Sequence, residues 1–102
     1  MAQLVQETKH LAVQLHLRVI DLALHRRHGT QQHSLRWRRP GSGGAHVAWK
    51  QVPDVLVGCS PHVCDRYLAF TDRARALNDE EKRARAELRR ARAARDMRYP
   101  VR

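Results

Sequence analysis

The sequence of 102 residues has few cysteines and aromatic residues, and it has no long apolar run. Cys59 and Cys64 are too few to cross-link a small secreted domain, which usually needs several disulfides. No stretch of about 18 apolar residues is present, so we expect no membrane-spanning helix. The N-terminus lacks the layout of a secretory signal, and Glu7 and Asp21 are unusual in a transit peptide. These absences predict a cytoplasmic protein with no membrane partner.

The residue patterns of common catalytic sites are also missing. The glycine-rich segment 41–44 joins two predicted strands, whereas a phosphate-binding loop joins a strand to a helix. No paired acids lie in an apolar context, and a core of this size leaves little room for a preorganised pocket. We therefore expect no enzymatic activity, no catalytic residue and no cofactor.

Metal binding is the other chemistry that the side chains could offer. The candidate ligands are His25, His28, Cys59, His62 and Cys64. Their spacing matches no established zinc pattern closely, and His25 also belongs to a polar helical stripe. We expect no metal site.

Positive charge is abundant and unevenly distributed. The formal net charge is +10. Residues 82–102 contain nine basic residues against Glu87 and Asp96, a local excess of +7. A second cluster, without acids among its members, comprises Arg26, Arg27, Arg36, Arg38 and Arg39. Basic surfaces of this kind attract polyanions.

Residues 2–27 are predicted to form one amphipathic helix, which Gly29 would terminate. Polar residues recur there at steps of three and four and fall within an arc of about 80°. The wide apolar face on the other side requires cover from more than one direction. The alternative is a strand, because apolar and polar residues alternate over 13–19, but that alternation breaks at Ile20.

Two short runs, 34–38 and 45–50, are predicted to pair as a β-hairpin over residues 34–50. The segment between them consists almost entirely of turn-forming residues. Alternation places the apolar side chains on one face, towards the helices, and the arginines on the other. The apolar set is Leu35, Trp37, Val47 and Trp49. Both tryptophans are expected in the core; the alternative is that they stack on nucleic-acid bases.

A helix over 61–77 and an arginine-rich helical extension over 78–98 complete the chain. Ser60 and Pro61 together are typical of a helix start. An apolar seam recurs by three and four from Val63 to Leu77. Asn78 could cap a new helix with Glu81 as its capping-box partner. A single continuous helix would instead be about 57 Å long and would project from the body.

These elements predict one small α+β domain over residues 1–102. It consists of a long N-terminal helix, a two-stranded antiparallel hairpin and a long C-terminal helix or helix pair. The residues expected to contact nucleic-acid phosphates are Arg36, Arg38, Arg39, Lys82, Arg85, Arg89 and Arg92. The last four of these lie on one helical stripe.

Two alternatives to nucleic-acid binding remain open. The arginine-rich helix could be an ordinary solvated helix, stabilised by pairs such as Asp79 with Arg83 and Glu81 with Arg85. The chain could also be a protein-interaction module. It would then either dimerise as a coiled coil through the seam, or act as an inhibitor that docks on a partner protein.

One arrangement of residues resembles a known family. Leu35-Arg36-Trp37-Arg38 is followed by a turn, by His46-Val47-Ala48-Trp49, and about thirty residues later by Ala76-Leu77-Asn78 and a long polar helix. Over roughly residues 33–95 this resembles small uncharacterised accessory proteins carried by integrative and conjugative elements of proteobacteria. The resemblance implies a mobile genetic element as the context, and it carries over no functional residue.

The resemblance also implies a strand before the first of these motifs. The sheet would then have three strands, which keeps a strand over 19–26 open. The leading hypothesis is a non-enzymatic nucleic-acid-binding accessory protein, expected to bind DNA with little sequence specificity.

Overall fold

A computed structural model describes residues 1–26, 32–41 and 43–98. Within these ranges the elements are α1 (Ala2–Leu15), β1 (Asp21–Arg26), β2 (His33–Arg38), β3 (His46–Val47), α2 (Val52–Val55) and α3 (Pro61–Arg98), with a 3-10 turn at Trp49–Gln51. The strands form one antiparallel sheet in the order β1-β2-β3. The predicted α+β fold is confirmed, in its three-stranded form.

The first helix ends where His16 adopts a left-handed conformation, with a φ of 51°. Two backbone hydrogen bonds of 3.2 Å close this end: His16 N donates to Val13 O, and Leu17 N donates to Ala12 O. This is the Schellman arrangement, in which the left-handed residue is usually a glycine. Histidine tolerates the conformation better than most residues do, so the helix can end here without a glycine.

The predicted helix over residues 2–27 is therefore wrong beyond the end of α1. Residues Asp21–Arg26 form β1, which pairs with β2 along its full length. Asp21 and His25 are four residues apart, a spacing that fits one face of a strand as well as one face of a helix. The helical spacing of polar residues therefore continues into β1, which is why the sequence predicted a helix there. Gly29, the predicted terminator, lies outside the described residues.

The core lies between one face of the sheet and the helices. Helix α1 packs over β1, α3 packs over β2, and the two helices contact each other. Trp37 is fully buried as predicted; its indole Nε1 donates to Thr71 Oγ1 at 2.9 Å, and that hydroxyl donates to Tyr67 O at 2.9 Å. The buried apolar side chains of α3 are Val63, Tyr67, Phe70 and Ala74, which belong to the predicted seam.

Helix α3 begins as predicted and then continues without interruption. Ser60 Oγ accepts a hydrogen bond from Val63 N at 3.3 Å, and Pro61 is the first helical residue. The predicted segments 61–77 and 78–98 form one helix of 38 residues, about 57 Å long.

The molecule measures 61 Å along its longest axis. Its radius of gyration is 17.7 Å, against about 13 Å for a compact domain of this size. The C-terminal part of α3 therefore projects from the body.

Asn78 does not cap a new helix; its side chain binds the backbone of β2. Asn78 Oδ1 accepts a hydrogen bond from Leu35 N at 2.7 Å, and Asn78 Nδ2 donates to Leu35 O at 3.0 Å. Strand β3 pairs with β2 at Trp37 and Arg38, so it does not extend to Leu35. The amide of Asn78 thus occupies the place of the missing strand and satisfies two backbone groups that would otherwise lack partners.

Glu81, one turn further along α3, also bonds the backbone of β2 in place of a neighbouring strand. Its carboxylate accepts hydrogen bonds from Arg85 Nε at 3.0 Å and from the backbone amide of His33. The Arg85 hydrogen bond, and to a lesser degree the His33 amide, lower the pKa of Glu81 below its ordinary value of 4.5. The carboxylate is therefore ionised in neutral solution and accepts from the edge of β2.

Replacing Asn78 with alanine is expected to lower the free energy of unfolding by roughly 2 kcal/mol, because the Leu35 amide and carbonyl lose their partners. Asn78→Asp retains the acceptor but places a carboxylate oxygen against the Leu35 carbonyl, so its loss should be at least as large as that of Asn78→Ala. Asp79→Ala, at the exposed neighbouring position, is the control and should change stability by less than about 0.5 kcal/mol. Urea unfolding monitored by circular dichroism measures all three. Equal stability of the Asn78→Ala and Asp79→Ala proteins would contradict this role for Asn78.

Candidate functional site

An open cleft lies between the edge of β2 and α3, because β3 ends after two residues. Trp49, the first residue of the 3-10 turn that follows β3, lines this cleft and is half-buried against the core. The cleft has a volume of about 670 Å³. It is named the edge cleft, and the lining side chains that bear on its chemistry are His25, Arg36, Trp49, Arg75, Asp79 and Lys82.

Positive charge predominates in the edge cleft. Arg36 extends from β2, whereas Arg75 and Lys82 lie two turns apart on one side of α3. Asp79 is the acid among the described lining residues. Within the described ranges, no ion pair joins any of the three cations to a carboxylate. Apart from Arg36 Nη1, which contacts His46, their hydrogen-bond donors are therefore available to an anionic ligand.

Arg36 is held in position on the outer face of the sheet by His46. Arg36 Nη1 lies 3.0 Å from His46 Nδ1, and because a guanidinium only donates, the ring nitrogen must be the acceptor. The His25 ring packs edge-on against His46, with 5.9 Å between ring centroids. Desolvation, followed by the charges of Arg36 and Arg38, lowers the pKa of His46 below 6.5. A neutral His46 therefore orients Arg36 in neutral solution.

The C-terminal arm, residues 86–98 of α3, is the second concentration of positive charge. Every side chain from 87 to 98 is exposed, and alanine and arginine both favour the helical conformation. Arg95 Nε lies 3.9 Å from Asp96 Oδ1. In the described chain no carboxylate lies within ion-pair distance of the other arginines of the arm, Arg89, Arg90, Arg92 and Arg98.

The seven predicted phosphate-contacting residues do not form one surface. Arg36 and Lys82 meet in the edge cleft, while Arg89 and Arg92 lie on the C-terminal arm. Arg85 forms the predicted pair with Glu81, so its charge is partly neutralised.

Arg38 and Arg39, the remaining two, lie at the opposite end of β2. They line an open groove of about 880 Å³ between α1 and β1, named the α1–β1 groove. Arg38 Nε donates to Gly44 O at 3.1 Å, which ties its side chain to the loop after β2. The hairpin arginines are thus divided between two sites. Arg27, from the same sequence cluster, lies outside the described residues.

Comparisons with protein-family models, with curated proteins and with solved structures give no match for this chain. The functional interpretation therefore depends on the geometry and charge of the edge cleft, the C-terminal arm and the α1–β1 groove.

Trp49 and Arg75 are the two residues suited to ligand binding in the edge cleft that were not among the predicted site residues. Trp49 was expected in the core on a strand, but β3 ends at Val47 and leaves Trp49 half-buried in the cleft. Arg75 precedes Lys82 by seven residues, so extending the basic helical stripe backwards by two turns would have included it.

The described part of the chain shows no group of three His, Cys, Asp or Glu side chains placed to hold a metal ion. His28, one of the candidate ligands, lies outside that part. Cys59 and Cys64 are free thiols, and Cys64 Sγ approaches the backbone oxygens of Leu56 and Cys59 at 3.6 and 3.7 Å. No described helix has the length and apolarity required to cross a bilayer.

The His46 ring is expected to titrate below pH 6.5 in an NMR titration, since desolvation and neighbouring cations disfavour its protonated form. Arg36→Gln should raise this pKa towards 6.5, whereas Arg92→Gln, the same charge change on the arm, should not. Because the pKa of the folded state is lowered, His46 contributes to stability above pH 6.5, and this contribution is lost as the pH falls. A pKa at or above 6.5 would contradict the proposed geometry.

Proposed function

We propose that this protein binds nucleic acid without catalysing a reaction, and that it contacts phosphates through the C-terminal arm and the edge cleft. DNA is the expected ligand, with little sequence specificity. The resemblance of residues 33–95 to accessory proteins of conjugative elements supports a role on a mobile genetic element.

The exposed arginines of the C-terminal arm are the observation that carries this proposal. A solvated helix with a structural role would be expected to pair its charges along its length, as Glu81 and Arg85 do at 3.0 Å. Arg89 and Arg92 have no such partner in the described chain, and their side chains are exposed. Guanidinium groups in this setting exchange water and anions for phosphates, and the released counterions favour binding.

The dimensions of the arm also fit duplex DNA. Residues 86–98 would extend about 20 Å along the helix axis, and side chains 87–98 are exposed. An α-helix with its side chains is about 10–12 Å across, which matches the width of the DNA major groove, about 12 Å. The arm can therefore approach a duplex without any rearrangement of the body.

The salt dependence of binding measures how many phosphates are contacted. If six cations each neutralise one phosphate of a duplex, log K should fall against log salt with a slope of about −5. The six are Arg36, Arg75, Lys82, Arg89, Arg90 and Arg92. Filter binding at increasing salt concentration gives this slope.

In the same assay, the double variant Arg89→Gln/Arg92→Gln should bind all sequences more weakly, with a slope reduced by about 2. Its control is Arg18→Gln/Arg73→Gln, which has the same net charge. Both control arginines are already paired, with Asp21 at 2.9 Å and with Glu7 at 2.7 Å, so the slope should change less. Equal losses in the two double variants, or no binding at low salt, would contradict the proposal.

A protein-interaction function is the second candidate, and the α1–β1 groove favours it. The seam from Val63 to Leu77 packs against this protein's own sheet, which leaves it unsuited to a coiled-coil dimer. In the groove, by contrast, Val13, Leu17 and Leu24 remain exposed by 72, 46 and 49%. Leu24 belongs to β1, and Val13 and Leu17 line the same groove; in the described chain β1 has a strand neighbour on one side only. An open strand edge beside apolar side chains can accept an added strand.

The occupant that suits this groove is an extended segment of a partner protein with alternating acidic and apolar residues. Lys9, Arg38 and Arg39 line the groove, whereas its acid, Asp21, is paired with Arg18 at 2.9 Å. The net positive charge disfavours a second copy of this basic chain and favours an acidic segment.

A synthetic peptide of alternating glutamate and valine is expected to shift the NMR amide signals of Leu22 and Leu24 as it adds to β1. The matched control peptide alternates lysine and valine and should have no effect. Unchanged β1 signals with the acidic peptide would exclude this second candidate.

A further inference from the structure

The edge cleft has the features of a nucleotide site. We infer that it binds one unpaired nucleotide of a single strand, with the base against Trp49 and the phosphate among Arg36, Arg75 and Lys82. This inference rests on the proposed nucleic-acid function and adds the class of strand that the cleft recognises.

The two tryptophans differ in a way that points to the role of Trp49. Trp37 is fully buried, and its indole nitrogen is bonded to Thr71, so it serves the core. Trp49 packs only partly on the core and presents the rest of its surface to the edge cleft. An accessible indole beside cationic side chains provides a surface on which any base can stack.

The cations of the cleft are held by rigid elements. Arg36 is fixed by its 3.0 Å contact with His46 on the sheet. Arg75 and Lys82 extend from α3 two turns apart, and the two Asn78 hydrogen bonds set the position of this helix against β2. Because His46 already restricts the side chain of Arg36, this donor loses less freedom when a phosphate binds than a mobile surface lysine does.

The shape of the site distinguishes it from the C-terminal arm. Its volume of about 670 Å³ lies within the range of about 300–1,000 Å³ that is typical of small-ligand sites. In a duplex the base faces are stacked on one another, so Trp49 could reach only an unpaired or displaced base. The arm, by contrast, needs only phosphates. The cations of the cleft can contact the phosphates of a duplex, but stacking on Trp49 requires an unpaired base. The edge cleft therefore binds a single strand more tightly than a duplex, while the arm does not discriminate.

Tryptophan fluorescence during titration with an oligothymidylate of about eight nucleotides tests the inference. The wild type should be quenched, and Trp49→Phe should lose most of the quenching, because the remaining Trp37 is buried. Anisotropy of the labelled oligonucleotide should show roughly tenfold weaker binding for Trp49→Ala.

Arg75→Gln provides a variant that does not depend on the core packing of Trp49. It should weaken binding of the single strand several-fold and reduce the salt slope by about 0.7. Arg73→Gln is the matched control: it makes the same charge change two residues away on α3, where the side chain pairs with Glu7. This variant should bind the oligonucleotide like the wild type. Urea unfolding verifies that each variant is folded.

The outcomes separate the inference from the proposed function. Duplex binding with no quenching by the single strand, or with equal effects of Arg75→Gln and Arg73→Gln, would overturn the nucleotide site and leave the proposed function standing. Absence of binding to both duplex and single strand would overturn both. Quenching that depends on Trp49, together with a selective effect of Arg75→Gln, would establish the site.

Discussion

The pair of hydrogen bonds between the Asn78 side chain and the backbone of Leu35 is the interaction on which the rest of this structure depends. It joins the longest helix to the central strand and supplies the partners that a longer β3 would have provided. Because this edge of β2 is satisfied by side chains, β3 can stop after two residues without leaving buried backbone groups unpaired. The edge cleft is a direct result of that short strand.

Much of the fold follows from local patterns in the chain. The start of α3 follows from a hydroxyl cap and a proline, and the burial of Trp37 follows from strand alternation, so both could be predicted. The end of α1 could not be predicted, because His16 takes a left-handed conformation usually marked by glycine. The role of Asn78 was missed because its partner is 43 residues away in the chain, beyond any local pattern.

The candidate sites also have a part that could be predicted from the sequence and a part that could not. Composition predicts the C-terminal arm, since a run of arginines with few acids remains exposed however the rest of the chain folds. It could not predict that Arg36 meets Lys82 while Arg38, two residues later, lines a different groove. The separation of Arg36 from Arg38 depends on where each residue lies along β2 and on the path of the loop between β2 and β3. Trp49 was misplaced because β3 ends at Val47, two residues before it, whereas the strand was expected to run over 45–50.

The unbroken course of α3 has a geometric consequence for its two charged regions. Asn78 fixes the rotation of the helix about its axis, so the directions in which Arg89 and Arg92 extend are set relative to the sheet by the number of intervening residues. One inserted residue would turn the distal guanidinium groups by about 100°, while seven inserted residues would return them to within about 20° of their original direction. The number of residues between Asn78 and the C-terminal arm therefore sets the direction of the arm's side chains as well as their distance from the sheet.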